Sequence, residues 1–512
     1  MLRPMVATTA VTAALILVAG CGGNDKKSDS GSDNGSQSTA SATPSAPTVP
    51  SFDPPKALSV AAAFPSADYQ GRSTLDEAQM GIAGQVALIG GYAGLNGHDV
   101  TNPNNQWMIP SKSADTTTVN AASSPMAAKV DGKDVAVVAY AETDKGNGTQ
   151  KPKGLVVVQW IDVMSGKKIG EVSTPVSTVQ GEGDDAIGSP GLANTVVDPE
   201  TGQIAVGVVA AGSITVKRID MTVFADPKTQ KSTILPGMNP AAVHSGVVAG
   251  AKGQQADSAS DGTALLADGA SGKITKQIPL KQAYLKPIAG AAKHAYFYGM
   301  RYIDYGQGTK TEGIFALDLS TGAVAQTVSA LPSDSIGAGD YDCFADQATS
   351  IVCTDGSGPG DAEILGIDDT TGKKTWGFTS KSGGRVVPSV TAAFHGVVYA
   401  KTEAQPVMLD AKTGQDLPSA APSGTPSSGD TPSSGDTPSS GDTPSTGDTP
   451  SESDSPSDNS SPGNGDLGLS LYNGKQESPV AVSPFGGVYR QLPTGNDSSD
   501  LESVCIFVKA TA

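Results

Sequence analysis

From about residue 55 onward, short runs of Val, Ile, Ala and Gly alternate with turn residues, and little of the chain keeps a helical period. That pattern predicts strands joined by tight reversals. Its clearest instance is Ile367-Asp368-Asp369-Thr370-Thr371-Gly372-Lys373-Lys374-Thr375-Trp376. The Asp368 carboxylate can accept backbone N–H groups two residues on, Thr371 can do so more weakly, and Gly372 takes the left-handed conformation without steric cost. The same Asp-x-x-[Ser/Thr]-Gly signature recurs at Asp162…Gly166, Asp268…Gly272, Asp318…Gly322 and Asp410…Gly414. Weaker copies are Asp226…Gln230, with Gln in the glycine slot, and Asp99 followed by Trp107 at the spacing of Asp368 and Trp376.

The turn positions 103, 166, 230, 272, 322, 372 and 414 lie 42 to 64 residues apart, and the long intervals carry insertions at Asp144–Lys153 and Gln180–Gly191. A four-stranded propeller blade takes about 40–50 residues. A second turn, Asp198-Pro199-Glu200-Thr201-Gly202, falls out of phase and fits the other hairpin of a blade. The expected fold is therefore an all-β propeller of four-stranded antiparallel blades over residues 55–418. Residues 419–466 interrupt it with four Thr-Pro-Ser-[Ser/Thr]-Gly-Asp hexapeptides at Thr425–Asp448, a stretch that can bury no core and reads as a disordered loop. Strand-like sequence resumes in residues 467–512, too short for a comfortable core of its own. These closing strands are expected to complete a last blade with a strand near Ala57–Phe64, removing exposed edges. The count is eight blades, or seven if the C-terminal strands belong to the first.

The [Val/Leu/Ile]-Asp-x-x-[Thr/Ser]-Gly-x-x-x-Trp turn resembles the repeat of quinoprotein-like (PQQ-like) propellers, most closely at Ile367–Trp376. In that family the tryptophans dock neighbouring blades, and here Trp107 and Trp376 hold the slot while Trp160 precedes its turn. Members that carry a quinone have a vicinal cysteine pair, a calcium site and a catalytic aspartate. No Cys-Cys pair occurs here, no calcium or base motif maps onto the chain, and no cofactor is expected.

At the front, Arg3 and the apolar stretch Met5–Ala19 read as an export signal over residues 1–20. Val18-Ala19-Gly20-Cys21 resembles the bacterial lipobox, which implies cleavage before Cys21 and lipid attachment to its sulfur. Residues 21–54 are Ser-, Gly- and Pro-rich and read as a disordered tether with a span of roughly 30 Å. The expected location is the extracytoplasmic face of the cell membrane, reached through the lipid anchor.

Net charge is −18, with no basic stripe to meet phosphates, which argues against nucleic acid and for a soluble surface. Cys343 and Cys353 lie symmetrically about the turn Asp346–Ser350, so they can face each other across a hairpin; a disulfide is expected over two buried thiols. Cys505 reads as a buried strand residue. His98, His244, His294 and His395 lack ligand spacing, and no nucleophile elbow, phosphate loop or dinucleotide fingerprint occurs. Asp184-Asp185 and Asp340…Asp342 read as solvated loop carboxylates; in the second, Phe344 stands where a calcium loop needs its third oxygen. No metal or catalytic residue is assigned. The expected function is a monomeric, non-catalytic binding or scaffold module for an envelope protein, peptide, glycan or small ligand. The alternative is a PQQ-like propeller enzyme, oxidoreductase or hydrolase, with residues converging at the central funnel.

Overall fold

Eight antiparallel sheets form a closed ring, and each turn signature read above takes a fixed place in it. The computed structural model describes residues 49–65, 79–147, 149–150, 152–176, 190–210, 221–252, 262–304, 309–327, 341–355, 362–418, 478–491 and 504–512. Blades 1 to 7 span residues 79–110, 117–176, 190–236, 239–282, 284–327, 341–379 and 389–417, with the first strand of each facing the axis and the last at the rim. Blade 8 takes three strands from residues 481–510, and its rim strand is Leu58–Pro65, paired antiparallel with Val504–Ala510. Both ends of the described chain thus share one blade, and the count is eight. The segment read as an export signal, Cys21 and the hexapeptide stretch lie outside the described residues.

Both faces of each sheet are covered at the middle strands, which read as near-continuous apolar runs, whereas rim strands such as Gln106–Pro110 and Lys373–Thr379 alternate. In blade 2, Val135, Val137 and Ala139 pack with Ile204, Val206 and Val223 of blade 3. The intervening Ala136, Val138 and Tyr140 pack with Leu88 and Leu95 of blade 1. The core is a set of such slabs between neighbouring blades. Blade 2 departs from four strands: its inner strand is split into Thr117–Ala122 and Met126–Val130, both paired with Lys133–Asp144. Pro125 at the break has no N–H to donate. Ser123 bridges the gap instead, its N–H donating to Ala139 O at 2.9 Å and its Oγ accepting from Ala139 N at 3.0 Å.

The seven Asp signatures are the hairpins between third and rim strands. In six of them the N–H at the glycine slot donates to the aspartate carbonyl four residues back, for example Gly372 N to Asp368 O at 2.8 Å, and Gly372 has φ +65°; in blade 1 the slot is Pro103, and Asn102 N reaches Asp99 O at 3.3 Å instead. The aspartate carboxylates accept the N–H and hydroxyl groups of the following residues. Those bonds favour the ionised form. Asp318 is pulled down to about 2, chiefly by the Thr321 N–H, and Asp268 is lowered chiefly by the Ser271 hydroxyl. Blade 8 needs no such hairpin because its rim strand arrives from the other end of the chain.

The tryptophans tie blades together. Trp107 Nε1 donates to Val163 O at 2.8 Å and Trp376 Nε1 to Ala411 O at 2.9 Å, each in the rim hairpin of the next blade. Trp160, on a third strand, donates to Gly202 O in the inner hairpin of blade 3 at 2.7 Å. A Cβ at Gly414 would stand 2.4 Å from the Trp376 ring, so the glycine serves both the turn and the docked indole.

Residues 49–54, assigned to the tether on composition, instead lie against blades 7 and 8. Phe52 N donates to Pro484 O at 2.7 Å, Asp53 meets His395 Nδ1, and Tyr399 Oη donates to Pro55 O at 2.6 Å. Phe52 and Pro55 spend backbone acceptors and donors on the ring, which composition could not reveal. Among the described residues, no helix is long and apolar enough to cross a membrane.

Candidate functional site

Antiparallel order puts all first-to-second and third-to-fourth hairpins on one face of the ring. On that face the inner strands end around a cavity of about 480 Å³, to which every blade contributes, from Ile82 in blade 1 to Val482 in blade 8. Its size falls within the usual range of small-molecule pockets. Most of the wall is Ala, Gly, Val and Met. Small side chains suit inner strands, where eight backbones converge and leave little width. Polar groups enter at the hairpins: Glu200, His244, Asp346, Gln347, Ser350 and Asp369. Among the described residues, no lysine or arginine lines the cavity.

Three buried aspartates at this end clamp neighbouring blades. Asp198, in the inner hairpin of blade 3, accepts Glu200 N at 3.0 Å and reaches Ser245 N of blade 4 at 2.8 Å. Asp346 repeats the arrangement between blades 6 and 7, accepting Ala348 N, Ser350 N and Gly396 N at 2.9, 2.8 and 3.1 Å. Asp369 ties blade 6 to blade 5 through Lys293 N at 2.9 Å and Tyr296 Oη at 2.8 Å. Ser245 and His395, beside the N–H groups used, have φ of +47° and +42°. At Asp346 this backbone lets His395 N donate to the Asp346 carbonyl at 2.7 Å while the next N–H, of Gly396, reaches the carboxylate. Each carboxylate is therefore met chiefly by backbone N–H or hydroxyl donors, with no lysine or arginine side chain among them.

Histidines follow the aspartates. His244 Nδ1 lies 3.8 Å from Asp198 Oδ1, with the ring about one-third exposed and lining the cavity. His294 Nδ1 lies 2.6 Å from Asp369 O and 3.5 Å from Asp369 Oδ1. Burial pushes the His294 pKa down, but the bonds to Asp369 and its charge outweigh that and leave it raised. His98 is elsewhere, enclosed at the seam of blades 8 and 1 with ring centroids 4.6 Å from Phe64 and 5.0 Å from Phe507. Burial lowers its pKa to about 4.

Cys343 and Cys353 are joined by a disulfide between directly opposed residues of the first two strands of blade 6, and Cys343 borders the cavity. Cys505 is a free, buried thiol whose pKa burial pushes up to about 12. Cys21, Asp184, Asp185 and Asp340 lie outside the described residues, and Asp342 is an exposed strand residue opposite Thr354. No group of three or more metal-ligating side chains occurs among the described residues. A second polar cluster, between blades 5 and 6, is internally paired: Tyr298 donates to Glu312 at 2.6 Å, and Glu363 accepts Tyr341 and Lys374 at 2.9 and 3.0 Å.

The clamping aspartates were not recognisable as such from the chain. Asp198 and Asp346 open the second class of turn, but which blade their second oxygen reaches is a matter of ring geometry. The tryptophan docking had a readable partner: Gly97 and Gly366, ten residues before Trp107 and Trp376, lie under the indoles, where a Cβ would come within 2.2 Å of a ring atom.

No protein-family model and no curated protein matches the chain. Solved structures do resemble it. A prolyl endopeptidase is 13% identical with a TM-score of 0.35, covering 68% of this chain, which spans 49%, about half, of that one. The β-propeller domain of the Trilobed protease from Pyrococcus furiosus is 10% identical (TM-score 0.35; 60% of this chain, 84% of that chain). The quinohemoprotein alcohol dehydrogenase from Comamonas testosteroni is 12% identical (TM-score 0.36; 72% and 69%). The eight-bladed ring stands on the strand pairing itself.

Proposed function

We propose that the chain is a lipid-anchored, extracytoplasmic propeller that binds a ligand in the cavity at the hairpin end of its channel, without transforming it. The observation that carries this reading is the cavity itself: eight inner strands enclose it, its wall is chiefly apolar, and its buried carboxylates hold blades together. A rigid wall of this kind costs little reorganisation when a ligand enters. The anchor belongs to the same proposal and is supported by Val18-Ala19-Gly20-Cys21 placed directly after an apolar stretch.

Two experiments test it. Metabolic labelling with palmitate and membrane fractionation should give a labelled, membrane-bound wild type and an unlabelled, released Cys21→Ser protein; equal partitioning would refute the anchor. For binding, purified protein is screened by thermal shift against an envelope-metabolite library, with Ala292→Trp as the control. Ala292 is an exposed hairpin residue on the cavity wall, so the indole obstructs the mouth without entering a slab. Hits that shift the wild type and not the variant support the reading. Hits that shift both equally place the ligand elsewhere.

A further inference from the structure

The charge around the cavity restricts what it can hold. Resting on the reading that this cavity is the binding site, we infer that its ligand is a small organic cation: an ammonium group carried on an apolar body. Three features of the structure combine to give this chemistry.

The first is the wall. Residues such as Met80, Met126, Val243 and Phe344 present hydrocarbon and thioether surface, suited to an apolar body and offering nothing to a sugar or a polyanion. The second is the charge behind that wall. Asp346 and Asp369 border the cavity, and Asp198 stands directly behind His244. The donors on these carboxylates are backbone N–H groups, a tyrosine hydroxyl and histidine rings, so no lysine or arginine cancels them. His294 beside Asp369 offsets part of one charge. The low-dielectric sheets around the channel focus the remaining negative potential into it.

The third is a vacant acceptor. Glu200 follows the clamp of blade 3 at the cavity edge; its N–H is bound by Asp198, while its carboxylate has no hydrogen-bond or ion-pair partner among the described residues. An ammonium group at the mouth would meet Glu200, with Gln347 available as a second polar contact, while its apolar body occupies the channel. An anion of the same shape would face the Glu200, Asp346 and Asp369 carboxylates, with no lysine or arginine on the wall to offset them.

The test uses three probes of one shape and different charge: benzylammonium, benzyl alcohol and benzoate, titrated calorimetrically into the intact protein at low ionic strength. Benzylammonium is expected to bind, benzyl alcohol about tenfold more weakly, and benzoate not measurably. Glu200→Gln should weaken benzylammonium about fivefold, as expected for one partly exposed charge pair, and leave benzyl alcohol unchanged. Glu200→Lys should narrow or reverse the preference between benzylammonium and benzoate. Ala292→Trp should abolish binding of every probe, with circular dichroism and the melting midpoint showing that each variant folds. Benzyl alcohol or benzoate binding as tightly as benzylammonium would overturn the cationic ligand while leaving the cavity as a site. Binding of no probe, or binding indifferent to Ala292→Trp, would overturn both.

Discussion

Acid should open the ring first at the seam where its two ends meet. His98 of blade 1 is 7% exposed, packed between Phe64 from the rim strand of blade 8 and Phe507 from the strand beside it. Its pKa falls from 6.5 to about 4 because burial disfavours the charged ring. The unfolded chain therefore binds the proton first, and stability fully present above pH 6.5 is lost as pH falls toward 4. A shift of that size is worth about 2–3 kcal/mol by pH 4.5, at 1.36 kcal/mol per pKa unit. Urea melts of wild type and His98→Leu at half-unit steps from pH 7.5 to 4.5 measure it. Leucine keeps an apolar side chain in the pocket and removes the titration, so the stability difference between the two proteins should shift by about 2–3 kcal/mol in favour of the variant across that range. Other groups act in separable windows. Asp318, lowered to about 2, holds stability above pH 3.8 and loses it below. His294, raised, contributes below its unfolded pKa and loses that contribution as pH rises through its folded value. A stability difference that stays flat from pH 7.5 to 4.5 would refute the reasoning.

Gly414→Ala forces alanine into φ +66° and against the Trp376 ring, and should cost about 2–4 kcal/mol in urea melts; Gly396→Ala, also at positive φ but with open space at Cβ, should cost about 1 kcal/mol. Asp346→Ala strands the N–H groups of Ala348, Ser350 and Gly396 and should lower stability by about 2–4 kcal/mol, far more than Asp342→Ala on the exposed strand. Cys343→Ala with Cys353→Ala removes a short cross-link and should cost about 2–3 kcal/mol, read as the gap between oxidised wild type and the double variant.

The ring was legible because its punctuation is local. An aspartate, a hydroxyl residue and a glycine at fixed offsets specify a hairpin with no help from elsewhere, and five such hairpins, the two weaker copies at Asp99 and Asp226 and an unpaired strand near Ala57–Phe64 count eight blades. Gln230 in a glycine slot shows the limit of that code: it holds φ +53° all the same, with its side chain bonded to Glu171 N. The disulfide was readable for the same local reason, two cysteines equidistant from one turn. What escaped the sequence depends on which blades become neighbours. Asp198 reads as one more turn residue until Ser245 is seen beside it, and Glu200 and His244 share a cavity only because the ring closes. The strap at residues 49–54 was missed because Ser, Phe, Asp and Pro look like tether until Pro484 and His395 supply partners.

Cavity, clamps and acid-sensitive seam all require that the N-terminal strand close the ring. Amide hydrogen exchange read by mass spectrometry on peptides covering residues 58–64 tests that most directly. The account predicts protection rising to the level of residues 505–510, its partner strand, and lost together with it in denaturant. Exchange of residues 58–64 at the rate of an unpaired tail, while 505–510 stay protected, would contradict it.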